Sequence, residues 1–160
     1  MLFHVRRKDR EITASGALKK VLKATKYVTI ALCMDDEPYL VSLSHGYDAK
    51  RNCLNFHCAF EGKKITCLKA NSKVWGQAVQ DYGVMDECDY AYTCVHFKGT
   101  VSLIADSNEK QHAMEVLVRQ LSDNPEEKLA GITPEKLAKT TMGRIDIDYM
   151  SGKQHQNTKL

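Results

Sequence analysis

Short runs of β-branched and aromatic residues, divided by turn-forming clusters, constrain the fold of this chain more than any other feature. Residues 27–34 (YVTIALCM) form one such run, residues 35–38 (DDEP) form a turn cluster, and residues 39–44 then alternate apolar with small polar side chains. This order is typical of a β-hairpin. Similar runs return at residues 53–58, 74–79, 90–105 and 142–149. The sequence therefore predicts a mainly β protein with six strands.

Three segments between the strands have helical features. Apolar residues recur at helical spacing in residues 11–25, with lysines on the other face. Residues 61–70 and 109–121 predict two more helices, and Asp106, Ser107 and Asn108 are N-cap candidates for the second of these. Residues 80–89 predict a loop, and prolines interrupt a polar segment near residues 125 and 134. The combination favours an antiparallel barrel with short helical additions.

The chain length predicts one domain. The 160 residues are the usual size of a single domain, and no linker rich in Gly, Ser or Pro divides them. We therefore expect one domain over residues 1–160, with a basic arm at residues 1–11 and a flexible tail at residues 150–160. Hydrophobic residues make up 43% of the chain, which is ordinary for globular proteins and excludes a disordered chain or a coiled coil.

Charge and hydropathy restrict the partners and the compartment. The uncharged stretches are far shorter than the ~20 residues of a membrane helix, and the first residues lack the apolar segment of a signal peptide. We expect a soluble, cytoplasmic protein with no membrane partner. The net charge of +3 is too small to favour a nucleic-acid partner. Acidic residues interrupt the basic arm, so we expect that arm to pack across a dimer.

The six cysteines form no C-x-x-C pair, which argues against a zinc ribbon or a redox motif. Several lie in apolar runs, where a free cysteine packs as a small hydrophobic residue. The sequence therefore predicts reduced, mostly buried thiols and no metal site. These cysteines are Cys33, Cys53, Cys58, Cys67, Cys88 and Cys94.

The segment from Phe56 to Lys64 carries the clearest chemical signal. A predicted strand ends there, a short loop follows, and the predicted helix has Lys63 and Lys64 in its first turn. Cations at a helix start are unfavourable, because the backbone already carries partial positive charge there. A phosphate would reverse that effect, since backbone N–H groups and two ammonium groups would converge on it. Alternatively both lysines point into solvent and Glu61 offsets their charge.

The order of these segments resembles a known family. Residues 6–12 (RRKDREI) resemble the N-terminal signature of nitroimidazole-resistance proteins, which belong to the pyridoxamine 5′-phosphate oxidase-like, FMN-binding split-barrel superfamily. Residues 38–48 and 54–64 resemble the second and third strands of that family, and residues 90–99 and 144–153 follow in the same order. The resemblance implies a six-stranded antiparallel split β-barrel that forms a homodimer with two FMN sites at its interface.

The resemblance also implies which residues contact the flavin. Lys63 and Lys64 fall where a basic pair grips the FMN phosphate. The other expected contacts lie on three strands: Ser42, Leu43 and Ser44 at the ring edge; His57, Cys58 and Ala59 along the ribityl chain and ring; and Thr93, Cys94 and Val95, which would approach from the partner subunit.

Four of these positions depart from the family pattern. Ser42 stands where proline is common, Cys58 where Ser, Thr or Gly is common, and Cys94 where serine is frequent. Lys63 replaces the commoner arginine, so it offers charge without a bidentate fork. Cysteine is a weak hydrogen-bond donor. We expect these departures to affect phosphate affinity and ring electronics and to leave the fold unchanged.

No catalytic triad, P-loop or dinucleotide fingerprint is present, so redox chemistry would belong to a flavin. We expect an FMN-dependent oxidoreductase of the nitroreductase or flavin-reductase kind, with electrons from NAD(P)H or another donor passing to a small molecule. The catalytic residues are unknown. The alternative is a non-catalytic flavin- or haem-binding module, with FAD or haem replacing FMN. His45 and His57 are candidate haem ligands, although structural roles are favoured for both. The acidic segment 81–89 is either a lid or a solvated loop.

Overall fold

The structure, a computed structural model, describes residues 5–86, 89–155 and 158. Its strands form one antiparallel sheet in the order β2-β1-β5-β6-β7-β4-β3. The strands are β1 (Tyr27–Met34), β2 (Glu37–Ser44), β3 (Gly46–Asp48), β4 (Cys53–Cys58), β5 (Lys73–Asp86), β6 (Asp89–Ile104) and β7 (Thr141–Gln154). The α-helices are α1 (Ser15–Ala24), α2 (Lys63–Ala70), α3 (Ser107–Leu121), α4 (Pro125–Ala130) and α5 (Pro134–Lys139), and a short 3-10 helix spans Lys8–Arg10.

The predicted hairpin of β1 and β2 is confirmed. The two strands pair from Tyr27 opposite Ser44 to Met34 opposite Glu37. Asp35 and Asp36 connect them with φ angles of 52° and 61°. Two consecutive residues with positive φ form the turn whose twist matches that of the flanking strands. The local sequence therefore determines both the hairpin and its register.

The mainly β architecture is confirmed, but the predicted count of six strands is wrong, because the sheet has seven strands within the described part of the chain. The additional strand, β3, follows a bend at His45 and pairs with β4 instead of β1. Gly46 permits this change of partner, since a Cβ at that position would lie 2.6 Å from the Cα of Leu117 in α3. The close approach of α3 thus requires glycine where the chain leaves β2.

The sheet curls into a barrel that is split along one side. β2 contacts β4, but no ladder of backbone hydrogen bonds joins these two strands within the described residues. Inward side chains of β1, β5 and β6 fill the interior, and apolar residues of α1 and α2 close over it. Fully buried examples are Ile30, Phe97 and Leu22. The architecture is consistent with the predicted split barrel.

Two strands run further than the sequence predicts. β5 and β6 extend into the predicted loop at residues 80–89 and pair there across two irregularities. β7 continues to Gln154, opposite Thr93 of β6. Gly152 lets it pass beneath α1, because a Cβ there would lie 2.4 Å from Leu18 Cδ2. Residues 150–154, predicted as a flexible tail, are therefore part of the sheet.

Parts of some predictions lie outside the described residues. These are residues 1–4 of the basic arm, residues 87 and 88 of the acidic segment, and residues 156, 157, 159 and 160 of the tail. The prediction for Cys88 is among them. The other five cysteines are free thiols, and Cys53, Cys67 and Cys94 are buried. The expectation of mostly buried cysteines therefore holds for the part of the chain that the structure describes, and their reduced state stays a prediction.

The helix boundaries follow their capping signals. The Asp106 carboxylate accepts the backbone N–H of Glu109 at 2.9 Å, which confirms one of the N-cap candidates for α3. α1 begins at Ser15, later than predicted, because the preceding segment is extended and Ile12 donates its N–H to Gly152 O at 2.9 Å. The segment predicted only as polar contains α4 and α5, each with proline in its first turn.

The helices cover the outer side of the sheet unevenly. α3 packs on β3 and β4, where Ala113 and Leu117 are buried. The outward side of β2, β1 and β5 exposes four large apolar side chains, and we call it the open face. Its apolar residues are Leu40, Tyr27, Trp75 and Val79. None of the helices in the described part of the chain combines the length and apolar character needed to cross a bilayer.

Candidate functional site

The start of α2 provides a donor set that fits an anion. Its first turn contains Lys63 and Lys64 and no acidic residue, and no side chain caps it. Gly62 precedes it with a φ of 120°, a conformation that glycine tolerates best. The N–H groups of a first helical turn have no partner within the helix. Backbone N–H groups and two ammonium groups together suit a phosphate.

Lys63 contacts the first half of β2. Its Nζ lies 3.6 Å from Glu37 Oε1 and 4.7 Å from the centroid of the Tyr39 ring. Tyr39 is half-buried and packs against the barrel core, whereas Glu37 is exposed. The sequence did not indicate either contact, because no motif connects β2 with a helix that begins so much later in the chain.

Lys64 lies near the end of β4. It is half-buried, and its positive charge opposes the burial that raises the pKa of the Cys58 thiol. Cys58 packs against the barrel core. Because its pKa lies above the usual value, the thiol remains protonated near neutral pH. Cys58 therefore contributes a weak hydrogen-bond donor rather than a nucleophilic thiolate.

The predicted ring-edge residues divide between the two sides of β2. Ser42 Oγ lies 3.2 Å from Thr29 Oγ1 on the outward side, and Ser44 is opposite Tyr27. Leu43 is buried in the barrel core. Strand side chains alternate in direction, so the two serine hydroxyls share the open face. Leu43 can reach a ligand on that face only through its backbone.

The predicted residues at the end of β4 also lie on different sides of the strand and its following loop. His57 is exposed and lines a groove of about 360 Å³ with Leu117 and Val118 of α3. Cys58 faces the barrel core, and Ala59 is exposed in the loop that leads to α2. The structure therefore brings Cys58 and Ala59 close to the start of α2, and it directs His57 toward α3.

Thr93, Cys94 and Val95 lie on β6, three strands from β2 in the sheet and therefore about 14 Å away. Thr93 and Val95 are fully buried. Cys94 Sγ lies 3.8 Å from His96 Nε2, and burial raises the pKa of its thiol. One protomer does not bring these residues to Lys63 or Ser42. Their approach from a partner subunit stays a prediction.

His45 belongs to the packing between α1 and α3. It is fully buried, and its Nε2 lies 2.9 Å from Leu22 O and 3.2 Å from Gln120 Nε2. Burial lowers the pKa of its imidazole. Because His57 is exposed on the groove beside α3, the two histidines do not form a common site in this structure.

A crevice of about 650 Å³ lies away from these residues, between α3, α4 and α5. Met114 and Leu137 contribute apolar surface to it. Its Arg119 is paired with Glu115 and Glu126. Its other cation, Lys110, donates to Ala138 O at 3.3 Å, and two glutamates line the crevice beside these cations, whereas the first turn of α2 contains no acidic residue.

A comparison with models of protein families shows which family this chain belongs to. The model of the family described as pyridoxamine 5′-phosphate oxidase matches residues 15–154, from the start of α1 to the end of β7. The chain belongs to this family. Membership of the pyridoxamine 5′-phosphate oxidase-like family supports a flavin-binding protein, and it matches the split barrel described above. A search among curated proteins found no matching sequence.

Solved structures share the fold of this pyridoxamine 5′-phosphate oxidase-like protein. A candidate 5-nitroimidazole antibiotic resistance protein from Bacteroides thetaiotaomicron has a TM-score of 0.76 at 21% identity, over 89% of this chain and 85% of its own. An FAD and heme binding protein from Mycobacterium smegmatis has a TM-score of 0.77 at 19% identity, over 92% and 74%. The flavocytochrome Anf3 from Azotobacter vinelandii has a TM-score of 0.80 at 17% identity, over 98% and 75%. These low identities establish the fold alone.

Proposed function

We propose that this protein is an FMN-dependent oxidoreductase of the nitroreductase or flavin-reductase kind. The observation that carries the proposal is the start of α2, where Lys63 and Lys64 join an uncapped helical turn in a family of flavin-binding split barrels. The flavin, when bound, supplies the electron transfer from a donor such as NAD(P)H to a small molecule. The chain itself binds the cofactor, orients it and excludes water.

β2 supports this assignment because it leads from the phosphate end of the proposed site to the ring end. Tyr39 lies beside Lys63, and Ser42 and Ser44 follow on the same strand. At the rise of a β-strand these serines are about 10–17 Å from Tyr39. That spacing suits a phosphate and a ring system joined by an extended chain, which would have to cross the edge of β2 because Tyr39 packs against the barrel core and the serines face outward. In the proposal Ser42 and Ser44 donate hydrogen bonds to the ring edge, and Cys58 lies along the connecting chain.

The open face supports a homodimer. Tyr27 and Leu40 are each 65% exposed in the protomer, and Trp75 and Val79 are also exposed on this face. These side chains form two apolar rows, separated by the polar row of Ser42, Thr29 and Gln77, and exposed apolar area of this kind typically marks an interaction site. In the proposal a second copy covers it and brings the segment of Thr93, Cys94 and Val95 to the flavin of its partner, where Thr93 and Val95 would contribute backbone groups because their side chains are buried. We also propose a cytoplasmic location, where free thiols stay reduced.

The alternative is a flavin- or haem-binding module without turnover. Two structural relatives support this alternative. One is described as an FAD and heme binding protein and the other as a flavocytochrome. In that case FAD or haem would replace FMN, and the site would store or sense the cofactor.

A visible spectrum of the reconstituted protein tests the cofactor, because flavin and haem absorb in different bands. We expect a flavin spectrum. Anaerobic mixing with NADH or NADPH should then bleach the bound flavin faster than free FMN at the same concentration, and a nitroaromatic oxidant should restore the colour. Bound flavin that neither nucleotide reduces would favour the binding module. A protein that takes up neither flavin nor haem would contradict both proposals.

A further inference from the structure

Lys63 is held by two side chains of different character. Its Nζ lies 4.7 Å from the centroid of the Tyr39 ring, within cation–π distance, and 3.6 Å from Glu37 Oε1. Tyr39 is half-buried against the barrel core. The side chains of Lys63 and Glu37 are 54% and 76% exposed. Packing therefore holds the Tyr39 ring in place, whereas the Glu37 carboxylate is exposed to solvent at the start of β2.

We infer that Tyr39 is a positioning residue that holds the ammonium group of Lys63 ready for the flavin phosphate. We also infer that the Glu37 carboxylate pairs with this ammonium group in the absence of flavin and that the phosphate displaces the carboxylate. The inference rests on the proposed function, and it adds two residues that sequence motifs did not indicate.

The two contacts differ in whether they can coexist with a phosphate. A ring face attracts the ammonium group through its quadrupole and leaves the ammonium N–H donors available to an anion. A carboxylate takes up those donors and repels a second anion. A phosphate monoester carries about −1.5 to −2 charges near neutral pH, so it attracts the ammonium group more strongly than a carboxylate does. Tyr39 should therefore favour phosphate binding and Glu37 should oppose it.

The ratio of FMN affinity to riboflavin affinity tests the inference, because the two ligands differ only in the phosphate. Y39L should lower this ratio by about two- to fivefold, the range expected for loss of an exposed cation–π contact. Tyr39→Phe keeps the ring and should keep the wild-type ratio. E37Q should raise the ratio by about twofold or more, since it removes the competing carboxylate.

A double-mutant cycle with Lys63 separates this inference from the proposed function. In a Lys63→Ala background, Y39L should lower the ratio no further, because both substitutions act through one ammonium group. If Lys63→Ala lowers the ratio and Y39L lowers both affinities equally, Tyr39 is merely structural and the inference is wrong. If Lys63→Ala leaves the ratio unchanged, the phosphate site and the inference are both wrong. If Y39L does not fold, an unchanged ratio in E37Q overturns the inference by itself.

Discussion

Single side chains in this protein take their roles from the side of the strand on which they lie. Ser42 and Ser44 face outward while Leu43 between them is buried, and His57 faces α3 while Cys58 faces the barrel core. Three consecutive residues of a strand therefore cannot present three side chains to one ligand.

Replacing both Lys63 and Lys64 by alanine should weaken FMN binding. Each lost charge-assisted contact is worth about 1.5–3 kcal/mol, so even half of the combined effect is roughly tenfold or more in affinity. Wild-type binding should also weaken with added salt. Folding stability should hardly change or should rise slightly. Positive charges at a helix start are unfavourable to the folded state, so their removal does not take away a stabilising interaction. Flavin titration measures the effect, and the lysine pair Lys19 and Lys20 on α1 provides the matched control. Unchanged FMN affinity would show that Lys63 and Lys64 are solvated surface residues.

His45 should make folding stability fall in mild acid. Burial lowers the pKa of its imidazole, so below its usual value of 6.5 the unfolded chain binds a proton that the folded chain does not. The free energy of unfolding therefore rises with pH. The stability that the neutral His45 provides is fully present above about pH 6.5, and below that pH it decreases by up to about 1.4 kcal/mol per pH unit. The lowered pKa of His96 acts in the same direction.

Urea unfolding at about pH 7.5 and about pH 5.5 measures this dependence. His45→Gln should reduce the difference between the two pH values. His57→Gln replaces an exposed histidine and serves as the control. An equal pH dependence in the wild type and in His45→Gln would contradict the prediction.

At the scale of elements, one glutamine of α3 hydrogen-bonds to both the end of α1 and the start of β3. Gln120 Oε1 accepts the N–H of Tyr47 at 2.8 Å, and its Nε2 donates to Leu22 O at 3.0 Å and to Thr25 O at 2.8 Å. These carbonyls lie at the end of α1, where helical carbonyl groups lack partners within the helix. His112 of α3 adds a contact of 2.6 Å to the Asp48 carboxylate. α3 therefore connects the end of α1 to β3.

Gln120→Ala should destabilise the protein by about 1–3 kcal/mol, because it leaves backbone polar groups unsatisfied in a partly buried position. Gln111→Ala removes an exposed glutamine from the same helix and should change stability by less than about 0.5 kcal/mol. Chemical unfolding compares the two variants. Equal stability of both would mean that the Gln120 hydrogen bonds contribute nothing measurable.

At the scale of the whole molecule, the uneven cover of the sheet determines where assembly can occur. One row of outward side chains crosses the sheet from Leu40 through Ala31, Trp75 and Lys98 to Tyr149. Trp75 and Tyr149 stack edge to face with their centroids 6.1 Å apart. α3 covers a different part of the sheet. The open face is therefore the surface to test for self-association.

Leu40→Glu should convert the proposed homodimer to monomers, because a carboxylate without a partner is costly to bury in an interface. Leu40 is 65% exposed in the protomer, so the fold itself should tolerate the change. Sedimentation measures the assembly, and flavin titration should show weaker binding if the partner contributes to the site. Gln111→Glu adds the same charge on α3 as a control. A wild-type monomer that retains its flavin at micromolar concentration would contradict the homodimer.

The sequence by itself determined the elements whose signals are local. The hairpin of β1 and β2 follows from adjacent β-rich runs and the turn cluster at residues 35–38, although the structure confines the turn to Asp35 and Asp36, and the start of α3 follows from the Asp106 cap. The lysine pair at the start of α2 was equally visible, because a strand end, a short loop and a helix start are consecutive in the chain. Hydrogen bonds and steric preferences between near neighbours are sufficient for such features.

The tertiary structure alone decided what depends on segments far apart in the chain. β3 starts at Gly46, where α3 leaves no room for a Cβ, and β7 passes α1 at Gly152, where Leu18 leaves no room for one. The contacts of Lys63 with Glu37 and Tyr39 appear only when α2 folds back onto β2. Residue periodicity indicates which side of an element is apolar, but it does not indicate which distant element will cover that side.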